Sequence, residues 1–197
     1  MTTPPSLAEP PASLTGFPAV RPPARLVRAC RRANTTWWFS SDGSGRFDLE
    51  PPEGTCYFAT DAFAALREAS RGGPVTPEWA RHRELRTVAP PDPEARLAAT
   101  TRARAAEFGV TTELVTIIPY GLPRRWATAF RRSGFDGIRH QTRHDPRARP
   151  SGVSLFGAAG DPGWPSGARQ EVTRKALRLA GVAVLDIPAS TSVTVVT

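Results

Sequence analysis

At 197 residues with 40% hydrophobic side chains, the chain is long enough for one folded unit with a buried core. Its formal charge of +8 rests on arginine, with Lys175 the single lysine; such a balance suits a solvated basic surface or guanidinium recognition of phosphate-bearing ligands. The lack of aromatic-interleaved basic runs argues against direct nucleic-acid binding, and the lack of a signal-peptide pattern or a run of ~20 apolar residues points to a cytoplasmic protein without a membrane span.

Residues 1–24 are rich in proline, alanine, serine and threonine, a composition expected to give a flexible leader because it buries little apolar area. The folded domain is expected over 25–197, opening with a strand over Arg25–Cys30. Residues 34–46, with Trp37, Trp38 and Gly43-Ser44-Gly45, form a long connection that either packs as an aromatic loop or carries function. Alternation over Gly54–Thr60 predicts a half-buried strand. Thr60 or Asp61 then caps a helix running to about Ser70 and ending at Gly72-Gly73-Pro74. On that helix Phe63, Leu66 and Ser70 share one face. Glu68 falls opposite them with Ala64 and Ala65, whose small side chains would leave the carboxylate approachable.

Further along, a strand is expected over Glu84–Val88, a helix over Glu94–Phe108 closing at Gly109, and a buried β-branched strand over Leu114–Ile118. Pro123 opens a helix that buries Trp126, Ala127 and Phe130, with Arg131 and Arg132 at its C-terminus. Short strands follow at Phe135–Arg139 and Val153–Phe156, then a helix over Gln170–Ala180 and strand-like runs at Val182–Ile187 and Val193–Val196. The pattern predicts one mixed α/β (α+β) domain, a short-stranded sheet with flanking helices. Cys30 and Cys56 lack C-x-x-C spacing and read as small buried thiols.

The chain carries no Walker loop, no G-x-G-x-x-G after a strand and no G-x-S-x-G elbow. His140 and His144 stand four apart, but in a glycine-, proline- and arginine-rich setting without a third ligand, so no metal site is expected. The chemistry must come from scattered residues: Gly45-Arg46-Phe47-Asp48, then Gly54-Thr55-Cys56-Tyr57-Phe58-Ala59-Thr60, then the helix with Ala64-Ala65-Leu66-Arg67-Glu68, and finally Gly134-Phe135-Asp136-Gly137-Ile138-Arg139-His140-Gln141-Thr142-Arg143.

In order and spacing these motifs resemble the RES domain, a family of NAD-degrading toxins, over roughly 25–157. The resemblance implies a fold like that of the ADP-ribosyltransferases and catalytic roles for Arg46, Tyr57, Glu68 and Thr142. Substrate contacts would fall to Arg28, Arg46, Tyr57 and His140. Thr142 stands where the family has serine, and its extra methyl would either reshape the pocket or lower activity. The implied reaction is cleavage of the nicotinamide–ribose bond, with NAD as substrate, inorganic phosphate or water as acceptor, and no bound cofactor. Glu68 would stabilise the ribosyl cation, the arginines would neutralise the diphosphate, and Tyr57 would stack on or hydrogen-bond the nicotinamide end. Family members are encoded with an Xre-type antitoxin carrying a DNA-binding domain. ADP-ribosyl transfer to a macromolecule and a catalytically inactive nucleotide- or partner-binding module are the alternatives, and self-association is left open.

Overall fold

A computed structural model describes residues 6–186. Eight strands form one sheet: β1 (Ala19–Val20), β2 (Leu26–Arg31), β3 (Glu53–Ala59), β4 (Arg83–Val88), β5 (Leu97–Ala99), β6 (Gly137–His140), β7 (Gly152–Ala158) and β8 (Ala168–Glu171). Their order is β1-β5-β6-β7-β3-β2-β4-β8, antiparallel throughout except for the β5–β6 pair. The helices are α1 (Ala62–Ala69), α2 (Pro77–Arg81), α3 (Glu113–Thr116), α4 (Gly121–Arg132) and α5 (Arg174–Leu179), with a 3-10 helix over Ala103–Phe108. This is the mixed α/β architecture expected, a sheet of short strands flanked by helices.

Register assigns each strand residue to a face, because directly paired residues point the same way. Tyr57 pairs with Ser154, Ser154 with Ile138, and Ala59 with Val27, so these five share one face. Two separate apolar clusters cover it. Over β5 and β6 lie Phe17, Trp126, Phe130 and Phe135, packed on Ala98 and Ile138. Over β2 and β4, Ala64, Ala65 and Leu66 of α1 and Leu177 of α5 pack on Val27 and Leu85. Full burial of each large apolar side chain contributes about 1.5–3 kcal/mol. The opposite face carries Leu26, Cys56, Phe58 and Val153 under Trp37 and Phe39, so the aromatic connection packs as a lid on that side. Both cysteines are buried and free.

Several expectations are corrected. Residues 6–24 are packed rather than flexible: Leu7, Leu14 and Phe17 are buried, Trp126 Nε1 donates to the Ala8 carbonyl at 2.9 Å, and β1 pairs with β5. Prolines between those apolar anchors restrict the unfolded chain, which lowers the entropy lost on docking. The expected helix over 94–108 is instead β5 followed by the 3-10 helix. Leu97, Ala98 and Ala99 are buried on both sides, a burial that overrides alanine's helix preference. Gly109 still closes the turn, at φ 87°.

The expected strand over 114–118 is α3, which buries Leu114 and Val115 and leaves Ile118 64% exposed. The last helix is shorter than its periodicity suggested, because Ala168–Glu171 pairs with β4 as an edge strand. Val193–Val196 lies outside the described residues. Among those residues, no helix is long and apolar enough to cross a membrane.

Candidate active site

Between the two helical clusters, above the middle of the sheet, a cleft of about 540 Å3 opens. Ser44–Phe47, Tyr57, Glu68, Arg71, Tyr120, His140, Gln141, Arg143 and His144 face it, so residues nearly a hundred positions apart converge on one volume.

Glu68 reaches the cleft from the last turn of α1. The helix is fixed by its cap: Asp61 Oδ1 accepts the Ala64 N–H at 2.9 Å. Ala64 and Ala65 do not line the approach to Glu68 as expected; they are buried and bring α1 close to the sheet. Glu68 Oε1 accepts the His144 N–H at 2.7 Å, while the Arg67 Nε donates to the His144 carbonyl. Burial raises the Glu68 pKa, and the His144 N–H and the Arg46 charge work against that rise.

The loop from His140 to Ser151 is fixed by charge. Arg147 binds Asp145 through two parallel bonds of 2.8 and 2.7 Å, stacks 3.9 Å above Phe63, and also pairs with Asp61. Burial would raise the Asp145 pKa, but Arg147 holds it down to about 2.

Arg46 enters from the opposite side. Its Nη1 donates to the Ile117 carbonyl at 2.8 Å, and its guanidinium lies 4.4 Å from the Tyr120 ring centroid. Only one of its five N–H donors is used by these contacts, leaving the others for an anion. Burial lowers its pKa, yet a guanidinium stays charged.

Tyr57 lines the cleft, but its hydroxyl is committed to the loop that carries Arg46. It donates to Asp48 Oδ1 at 2.7 Å and accepts the Phe47 N–H at 2.9 Å. Burial, followed by the Asp48 charge, pushes the phenol well above its ordinary pKa and keeps it protonated. The loop requires glycine at 45, where a Cβ would lie 2.2 Å from Asp48 Oδ1 and 2.4 Å from the Tyr57 hydroxyl. The hydroxyl thus positions the loop that carries Arg46, while the Tyr57 side chain faces the cleft, where the expected stacking would take place.

His140 sits on the cleft floor with its ring 5.0 Å from that of Phe47. Its Nδ1 lies 3.0 Å from the Gln141 carbonyl, which can only accept, so Nδ1 carries the proton. Nε2 then accepts from the Ser154 hydroxyl at 3.0 Å. Burial lowers its pKa to about 4, so the ring is neutral at physiological pH. Among the described residues no group of three or more His, Cys, Asp and Glu is placed to hold a metal ion.

Two expected residues are placed elsewhere. Val27 shares its face with Ala59 and Tyr57, so Arg28, one residue on, points to the other side of the sheet. There it donates to the Thr36 carbonyl at 2.6 Å and to Cys56 Sγ at 3.1 Å. Thr142 is buried beneath the loop, 3% exposed, with its Oγ1 2.8 Å from Ser151 Oγ. Its methyl therefore takes no space from the cleft. The residues missed were Arg71, Tyr120, Arg143 and His144. Arg71 had a usable signal, since it follows Glu68 by three positions at a helix end marked by Gly72-Gly73, and Arg143 closes the last of the quoted motif stretches.

The arrangement sets one carboxylate among three guanidinium groups, a field suited to a ligand with anionic phosphates and a centre that becomes cationic. A scan against protein-family models matches the RES domain over residues 23–184. Among solved structures, a chain of the M. tuberculosis MbcT–MbcA toxin–antitoxin complex aligns with a TM-score of 0.60 at 14% identity, covering 83% of this chain and 92% of that one. At that identity the likeness speaks for the fold. No curated protein matches the chain.

Proposed function

The chain belongs to the RES domain family, and on that premise we propose that it is an enzyme cleaving the nicotinamide–ribose bond of NAD as the toxin of a toxin–antitoxin pair. The observation that carries this reading is the meeting of Glu68 with Arg46, Arg71 and Arg143 around one cleft. Nicotinamide leaves a pyridinium as a neutral molecule, so the reaction needs little acid catalysis. As the C1′–N bond breaks, its electron pair passes to the ring nitrogen and positive charge develops on the ribose. The Glu68 carboxylate, fixed by the His144 N–H, stabilises that charge. Arg46, backed by Tyr120 and held in place by Tyr57 and Asp48, neutralises the diphosphate together with Arg71 and Arg143.

An oxygen of phosphate or water then bonds to C1′. Phosphate gives the 1″-phosphate of ADP-ribose; water gives ADP-ribose and releases a proton. The second oxygen of Glu68, not engaged by the His144 N–H, is the group available to receive that proton. Thr142, being outside the cleft, gives no steric ground for an inactive protein.

Membership of the family and the fold shared with the MbcT–MbcA toxin–antitoxin complex support an antitoxin protein as partner; the Xre type is part of the proposal. The test is purified protein incubated with NAD, following free nicotinamide with and without inorganic phosphate. Release that rises with phosphate assigns phosphorolysis, and release independent of it assigns hydrolysis. A protein that releases none, while labelling no macromolecule, would exclude the enzymatic reading.

A further inference from the structure

Two basic runs remote in sequence, Arg31-Arg32 and Arg81-His82-Arg83, meet at one end of the sheet. Arg31 closes β2, Arg83 opens β4, and the antiparallel register sets the two directly opposite each other. Paired residues point to the same face, so two guanidinium groups stand side by side, an arrangement that like charges disfavour. They flank a hollow of about 520 Å3 beside Thr76 and Trp79, which shares no lining residue with the cleft at Glu68. The nearby carboxylates have partners of their own: Glu171 lies 3.4 Å from Arg32, and Glu78 lies 3.5 Å from His82. Among the described residues no carboxylate comes within ion-pair reach of Arg31 or Arg83. Arg83 is half-buried and held in place, with its guanidinium 4.1 Å from the Trp79 ring centroid and its Nη1 donating to the Trp79 carbonyl at 3.4 Å. Burial, and after it the Arg31 charge, lowers the Arg83 pKa. Arg31 is exposed, so its fork faces whatever enters the hollow.

We propose that the Arg31–Arg83 pair is a binding site for a phosphate group, separate from the cleft and independent of the reaction there. A phosphate dianion presents three terminal oxygens, enough to accept from both guanidinium forks at once, whereas the two oxygens of a carboxylate fill a single fork. Repulsion between the paired cations is relieved when the dianion sits between them. The hollow is larger than the anion alone requires, and the Trp79 wall suits the organic body of a phosphomonoester. Free phosphate and a monoester share the chemistry that the two arginines recognise.

The test follows the tryptophan indole N–H signals of the labelled full-length chain by NMR during titration with inorganic phosphate, with sodium chloride at matched ionic strength as control. The Trp79 signal, identified by its loss in Trp79→Phe, shifts saturably with phosphate and stays in place with chloride. Arg31→Gln, a change at an exposed position, raises the midpoint about tenfold or more while the other indole signals report an intact fold, and Arg83→Gln does the same. Phenyl phosphate separates the two sources: a lower midpoint than that of inorganic phosphate assigns a monoester whose body meets Trp79, and an equal or higher one assigns the free anion. The proposal is overturned if the Trp79 signal does not respond to millimolar phosphate, if chloride moves it equally, or if Arg31→Gln leaves the midpoint unchanged.

Discussion

Glu68 and His144 are joined side chain to main chain: Glu68 Oε1 accepts the His144 N–H at 2.7 Å, while the neighbouring Arg67 binds the carbonyl of the same residue. Adjacent residues of α1 thus grip both polar groups of one loop residue. This fixes the carboxylate against a loop that also delivers His140, Gln141 and Arg143 to the cleft.

Arg67→Met should release the loop without touching the cleft charge. Misplacing a reacting group by about an ångström can cost up to ~10²-fold, so a drop of tenfold or more in kcat/KM is expected. The acid limb of the rate profile should also move to higher pH, because a freed His144 N–H no longer holds the Glu68 pKa down. Steady-state kinetics across pH checks both effects. A loss of activity with an unmoved acid limb would mean that Arg67 only supports the fold.

Glu68→Gln should leave the protein as stable as wild type, or more so, at neutral pH. The folded pKa of Glu68 is raised, so its ionised form is disfavoured by folding; that penalty is present above the folded pKa and disappears as pH falls through it. The stability difference between variant and wild type should therefore shrink on acidification, read as melting temperatures from pH 8 to pH 4.

His140 works in the opposite sense. Its folded pKa of about 4 lies below the ordinary 6.5, so the unfolded chain takes up a proton that the folded chain refuses. Stability is full above about pH 6.5 and falls as pH drops, by on the order of 3 kcal/mol at pH 4. Urea unfolding of His140→Gln should show a flatter acid dependence than wild type. Equal slopes would mean that His140 titrates normally.

Tyr57→Phe should cost stability as well as activity. It strips a partner from the Phe47 N–H and from the buried Asp48 carboxylate, a loss of about 1–3 kcal/mol. The loop carrying Arg46 then loosens, so KM for NAD should rise. Activity lost at unchanged stability would instead mean that the hydroxyl meets the substrate.

What could be read from the sequence follows from what local chemistry decides. Asp61 as a cap, the glycines after Ser70 and the apolar stripe of Trp126 and Phe130 place α1 and α4 without help from the rest of the chain. The Leu97–Ala99 strand is set by its remote partners on β6, and alanine gives no local sign of that. The same limit applied to the cleft. Arg46, Tyr57, Glu68 and His140 came from motif order. Whether Arg28 faces them depends on a one-residue register between β2 and β3, and Tyr120 reaches Arg46 only through the packing of α4. Thr142 lies in a matching motif position, but its loop turns the hydroxyl inward to Ser151.

In the proposed reaction the Glu68 carboxylate stabilises the cation formed as nicotinamide leaves. The most direct test of that role is the single-turnover rate of nicotinamide release from NAD by wild type and Glu68→Gln, with NAD binding measured on the same samples. A rate about 10²-fold lower or more is expected in the variant, with NAD affinity within a few-fold of wild type. Equal rates at equal occupancy would contradict it.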